Sequence, residues 1–438
     1  MTTDMQDDDC GCTEYRELSR RQFVGTAAGG SAAMAAAAFF PAWLPKVVLA
    51  ETYASTRDVL LSVFMRGGAD GLTLCVPYGD PDYYTGRSTI AVPRPDQTVP
   101  TKGIALDNFF AFPQAMSGLM TAYTANDLLV VHATGQFNNS RSHFDAQRYM
   151  EVGKPADPSL VTGWLGRHLA SAPPVRSNAP LRALGLSAGL QKTLVGAPKT
   201  LPIANPANFA LAGSGATANA RLAFLANDYA AATEPIHAAA LDASNTVALL
   251  QSVGIATYRP ANGAVYPTTS FGNALRSVAA LIKADIGIEA AQVDIGGWDT
   301  HSQQDPLAGS MYRSMQDFSN ALAAFYLDVI STATATTGAT TAVAVSEFGR
   351  NARENGSNGT DHGRGTVMFA MGKNIAGGRV MVNNWPGLNR SVLENGQDLK
   401  VTIDYRDILA EIVQNRLGNT NLSYIFPSWT PTMRGATR

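Results

Sequence analysis

The chain has 438 residues, 45% apolar and 16% charged, a balance that excludes intrinsic disorder. Its net charge of −2, without any Lys/Arg block to neutralise phosphates, excludes electrostatic binding of nucleic acid. Two of its three cysteines, Cys10 and Cys12, precede an export motif. A processed chain would keep only Cys75, so an internal disulfide and zinc sites with two or more thiolates are excluded.

The first element is that motif. Ser19-Arg20-Arg21-Gln22-Phe23-Val24 places paired arginines between a polar residue and apolar ones, and an Ala/Gly-rich stretch follows from Gly25 to Phe40. Val48-Leu49-Ala50 offers a cleavage point after Ala50. The stretch is too short and Gly-diluted for a stable span of about 20 apolar residues. Residues 1–50 therefore read as a twin-arginine signal segment handled by the twin-arginine export machinery, and 51–438 as one periplasmic or secreted domain without a stable membrane span.

Short apolar runs at Val59–Met65, Leu128–Val131, Ala291–Ile295, Thr341–Val345, Thr366–Met371 and Arg379–Val382 predict buried strands. Between them, Phe271, Leu275, Val278 and Ile282 share one helical face, as do Met311, Met315, Phe318, Leu322 and Phe325. Asp404 is placed to cap a last helix containing Ile408, Leu409 and Ile412, with Gly418 just past its end. Strands alternating with amphipathic helices imply an α/β fold with a doubly wound, mostly parallel sheet. The Ala-rich stretch at about 216–250 lacks strand signals and predicts a helical insertion.

Ligands of open α/β sheets bind beyond the carboxyl ends of the strands, and polar residues gather there. Gly67-Gly68-Ala69-Asp70-Gly71 leaves Asp70 at a strand tip, either as a turn aspartate or as a metal ligand. Ser142 opens a helix three residues before Asp145. It reads equally as an N-cap or as a nucleophile helped by the helix dipole, with His143 beside it. Asp299 and His301 sit in a Gly-rich loop, Glu347 and Arg350 end the Thr341–Val345 strand, and Asp361 and His362 precede the next. Asp70, Asp299, His301, Glu347, Asp361 and His362 make a candidate ligand set for a divalent ion: Zn, Mn, Mg or Ca. His168 and His237 read as structural or surface residues.

At Gly67–Leu72, Arg141–Gln147, Gly297–His301, Ser346–Arg350, Gly359–Gly363 and Asp404–Asp407, the chain resembles a widespread family of twin-arginine-exported bacterial proteins of uncharacterised function. That family is similar in turn to the alkaline phosphatase and sulfatase superfamily. The resemblance implies an alkaline-phosphatase-like fold, with Asp70 as an early metal ligand, Ser142 (or Ser140) as nucleophile, and Asp299, His301 and His362 as further ligands. Glu347 and Phe348 stand where the superfamily's pattern has an Asp-His pair, a departure that bears on one metal position. The expected activity is hydrolysis of a small-molecule or envelope phosphate or sulfate ester, with Arg141 or Arg350 neutralising ester oxygens. The rivals are a non-catalytic binding or assembly protein that kept the fold and an envelope transferase.

Overall fold

A computed structural model describes residues 57–177, 179, 181–209, 213–228, 246–333 and 339–438. The signal segment expected over 1–50 and His237 lie outside the described residues, as does part of the stretch 216–250. Within that stretch the helices Ala218–Asp228 and 246–253 are described. Among the described residues, no helix is long and apolar enough to cross a membrane.

The strands are β1 (Val59–Met65), β2 (Ile104–Ala105), β3 (Ala111–Phe112), β4 (Leu128–Gly135), β5 (Ala183–Gly185), β6 (Thr200–Pro202), β7 (Ala290–Ile295), β8 (Thr340–Val345), β9 (Thr366–Met371), β10 (Arg379–Met381) and β11 (Ile403–Asp404). β2 and β3 pair with each other; the others form a nine-stranded sheet ordered β10-β4-β9-β8-β1-β7-β5-β6, with β11 also on β4. The fold is α/β, but the sheet is mixed, which corrects the expectation of a doubly wound parallel one. β9 runs antiparallel to both β4 and β8, while the remaining pairings in the sheet are parallel. The physical reason lies between β8 and β9. A parallel successor needs a crossover, usually helical, and residues 346–365 supply only turns and bridges. The chain therefore returns along the same edge of the sheet.

Side chains alternate across each strand, so the sheet has a core on either face. Leu61, Val63, Val130, Val293, Ala344 and Phe369 meet helices α3 (Ser270–Lys283) and α4 (Ser310–Phe325), each with its apolar stripe turned inward. Leu60, Phe64, Val131, Val343 and Met368 meet α2 (Trp164–Ser171) and α5 (Tyr405–Asn415). Asp404 caps α5 through Arg406 N, as its sequence implies. Phe318 is fully buried among Phe271, Trp298 and Phe369, and truncating such a residue to alanine costs about 3–5 kcal/mol.

Candidate metal centre

Loops gather where β1, β4, β7 and β8 end. Because β9 is reversed, its beginning lies at that same edge. The β8–β9 connection closes on itself there, with a backbone bridge between Arg350 and His362 and bonds from Asn351 N to Asp361 O and Gly363 N to Gly349 O. Gly67 is required where these loops meet. Its φ is +122°, and a Cβ on it would stand 2.7 Å from the Asp299 amide nitrogen.

Helix α1 (His143–Val152) begins after Ser142, which occupies the N-cap as the sequence implies but makes no side-chain capping bond. That start delivers His143 into the loop cluster, where it is 3% exposed. Its Nδ1 is 2.7 Å from Glu347 Oε1, and its Nε2 is a buried atom without a hydrogen-bond partner, 3.6 Å from Asp299 Oδ2. His362 Nδ1 lies 2.9 Å from the Arg141 carbonyl, and its Nε2 is 3.5 Å from Asp299 Oδ1. His301 Nδ1 lies 2.9 Å from Asp361 Oδ1, with its Nε2 3.1 Å from Asp299 Oδ1 and 3.0 Å from His362 Nε2.

Partner chemistry assigns the tautomers. A carbonyl or a carboxylate only accepts, so each of these Nδ1 atoms carries the proton and donates it. Each Nε2 then faces the Asp299 carboxylate, which also only accepts, so a proton or a cation must lie between them. Two facing Nε2 atoms 3.0 Å apart, with both Nδ1 protons engaged, need a shared proton or a cation between them. This is the arrangement in which an outer acceptor orients an imidazole toward a metal.

His143, Asp299 and His362 can hold a metal ion: one ligand atom from each lies within 4.8 Å of the others. Bonds of about 2.0–2.2 Å around a common centre require that set to close around the ion.

The electrostatics agree. Burial pushes the Asp299 carboxyl upward, but His143, His301, His362 and Arg350 outweigh it and hold the group well below the carboxylate range. Burial likewise pulls His143 down, yet Asp299 and Glu347 raise it to about 9. The His301 pKa is raised by Asp299, against its burial and with help from Asp361.

Of the other expected ligands, Glu347 and Asp361 sit around this group. Glu347 is fully buried and accepts from His143 Nδ1, Gly67 N, Gln147 Nε2 and Ser346 Oγ. It stands behind an imidazole, as half-exposed Asp361 does behind His301, fixed by Asn355. Asp70 is engaged elsewhere. It is fully buried and gripped by both Nη atoms of Arg87, with Thr73 Oγ1 and Gln304 Nε2 donating at 2.7 Å each.

Arg141 pairs with buried Asp398. Arg350 is buried and donates to the carbonyls of Gly67, Gly68, Trp298 and Thr360 and to Asp299 Oδ1. It ties the loops together, and neither arginine lines the cavity described below. Phe348 packs at 4.9 Å against both the His143 and His362 rings. Outside this group, His132 bonds the Cys75 carbonyl, and His168 is buried beside Asn419, as a structural residue would be.

A cavity of about 90 Å³ opens beside the group, lined by Arg66, Gln147 and the glycines 67, 296 and 297 together with His143 and Asp299. Sequence reasoning missed Arg66, Arg87 and Gln147. Gln147 had a signal: four residues after His143, it lies on the same helical face. Arg87 had none, since nothing local ties it to Asp70.

The family model described as "Protein of unknown function (DUF1501)" matches residues 138–417. That is more than half of the chain, and it includes His143, Asp299, His301, Glu347, Asp361 and His362 but not Asp70 or Arg87. Neither the curated proteins nor the solved structures contain a match.

Proposed function

The chain belongs to the DUF1501 family of proteins of unknown function, and from that premise we propose that it is a metal-dependent hydrolase of phosphate or sulfate esters, exported by the twin-arginine route. The observation carrying this reading is the convergence of His143 Nε2, His362 Nε2 and the Asp299 carboxylate, with each Nδ1 fixed by an acceptor behind it. Two imidazoles and a carboxylate favour zinc over calcium or magnesium, which prefer oxygen. A bound ion would supply Lewis acidity toward an ester oxygen and a lowered pKa for a coordinated hydroxyl or water.

The chain's own residues do the rest. Glu347 and the Arg141 carbonyl orient the two imidazoles, and Arg350 holds Asp299 in place. His301 stands beside the set, its Nε2 3.1 Å from Asp299, placed to add a further imidazole. Ser142 is the nucleophile in this proposal, at the positive end of α1 and adjacent to His143. Kinship with the alkaline phosphatase and sulfatase fold is part of this proposal and rests on the resemblance of the loop motifs. The Arg20-Arg21 motif and the Ala/Gly-rich stretch after it support export.

The test combines metal analysis of natively exported protein with turnover of aryl phosphates and aryl sulfates, with and without chelator. The reading expects bound zinc, chelator-sensitive hydrolysis and loss of hydrolysis in Ser142→Ala. Chelator-insensitive activity, or full activity in Ser142→Ala, would end it. A second reading, a binding or assembly protein that kept the fold, is favoured by Asp70 lying fully paired with Arg87. Tight metal retention without turnover on any ester would select it.

A further inference from the structure

We infer that the cavity beside the candidate metal centre receives the substrate's reacting group, and that this group carries no more than one negative charge. The inference rests on the hydrolase reading and narrows its substrate to monoanionic esters, sulfate monoesters or phosphate diesters, in preference to dianionic phosphate monoesters.

The cavity shares His143 and Asp299 with the metal group, so whatever fills it lies against the ion. Its volume of about 90 Å³ exceeds the roughly 10–15 Å³ that one water needs and suits a compact head group. Gly296 lies on its wall, and a Cβ there would meet no atom within 4 Å, so bulk can be added at this edge of the cavity without a clash.

The charge around the cavity sets the class. Arg66 is the guanidinium on its wall, and it already donates to Asp294 Oδ2 at 2.9 Å, Glu151 Oε1 at 3.0 Å and Gln147 Oε1 at 3.0 Å. Gln147 in turn gives its amide to Glu347. Arg350 is buried against Asp299, and Arg141 is paired with Asp398. The four carboxylates Glu151, Asp294, Asp299 and Glu347 stand beside the two guanidiniums of Arg66 and Arg350. Sites built for phosphate dianions present arginines whose forks are open to the ligand; here the wall's guanidinium is already engaged by Asp294, Glu151 and the Gln147 amide oxygen. A second negative charge would therefore be set against Glu151 and Asp294, which already hold the wall's guanidinium.

The experiment measures equilibrium binding of three small probes to the zinc-loaded full chain. Methyl sulfate and dimethyl phosphate are monoanions throughout, whereas methyl phosphate becomes a dianion above about pH 6. At about pH 8, at least one monoanion should bind about tenfold or more tighter than methyl phosphate. Whichever of the two binds tighter identifies the sulfate or the diester class. Lowering the pH through about 6 should narrow the gap, with methyl sulfate reporting any titration of the protein itself. Gly296→Val, which adds bulk at the cavity wall, should weaken binding at unchanged zinc content, and Gly296→Ala should weaken it less. Equal or tighter binding of methyl phosphate at the higher pH overturns the inference, as does binding unaffected by both glycine variants. If no probe binds while aryl esters are still turned over with zinc, the cavity assignment fails and the hydrolase reading stands. If the monoanions bind as expected and no ester is turned over, the reverse holds.

Discussion

Two aspartates, the buried Asp70 after β1 and the partly exposed Asp299 after the neighbouring β7, lie in Gly-rich loops at the same edge of the sheet and meet different fates. Asp70 faces Arg87, Thr73 and Gln304. Burial would raise its pKa, but the guanidinium keeps the carboxyl below its ordinary value. Asp299 faces three imidazoles as well as Arg350. A guanidinium is a permanent cation covalently tied to the chain. An imidazolium can lose its proton and leave a lone pair for an ion from solution. The first arrangement closes a carboxylate into the fold, and the second leaves one exchangeable.

That contrast can be broken most sharply at Arg87. Arg87→Ala strands a buried carboxylate and should cost about 3–5 kcal/mol in urea unfolding, with metal retention unchanged in the folded fraction. A loss under about 1 kcal/mol would show that the Asp70 pair is not what closes this pocket.

Asp299→Asn should do the opposite, removing metal retention on dialysis while perturbing stability less than Arg87→Ala does. Retained zinc in that variant would put the ion elsewhere.

Glu347→Gln leaves the ligands in place but weakens the acceptor behind His143, and metal affinity should fall about 10–100-fold. An unchanged affinity by competition titration would mean that Glu347 orients nothing.

The pH dependence of the metal-free chain sharpens the same point. His143 is pulled down by burial but raised by Asp299 and Glu347 to about 9, against 6.5 for the unperturbed side chain. Its stabilising contribution is therefore fully present below about pH 6.5 and lost as the pH rises through about 9. The stability difference between the native chain and His143→Asn should shrink over that window, and a flat difference would contradict the raised pKa. The smallest effect belongs to Asp361→Asn, whose carboxylate is half exposed. It should lower metal affinity less than tenfold or so, and a drop as large as that of Glu347→Gln would place His301 inside the ligand set.

The local layer of the structure was legible in the sequence. Runs of four to seven apolar residues became β1, β4, β7, β8 and β9, and stripes at helical spacing became α3 and α4, because burying an apolar face is decided by periodicity within a short window. β5, β6 and β11 left no such trace. They are two or three residues long, too short for alternation to show, and they exist because neighbouring strands offer unpaired backbone.

The candidate centre was half legible. Asp299, His301 and His362 announced themselves in Gly-rich loops, and His143 stood next to a helix-opening serine. Which carboxylate would be neutralised by which cation could not be read, because Arg87 and Asp70, or Glu347 and His143, meet only through long-range folding.

The sequence alone determined an α/β chain with acidic and imidazole groups at the loop ends of its strands. Tertiary structure decided the rest through the direction of β9. Had β9 run parallel, its first residues would have lain at the far edge of the sheet, and His362 with them. Antiparallel pairing with β4 and β8 returns that loop to the edge where His143 and Asp299 wait. Strand direction depends on how the connection packs against the whole sheet, which no local pattern encodes.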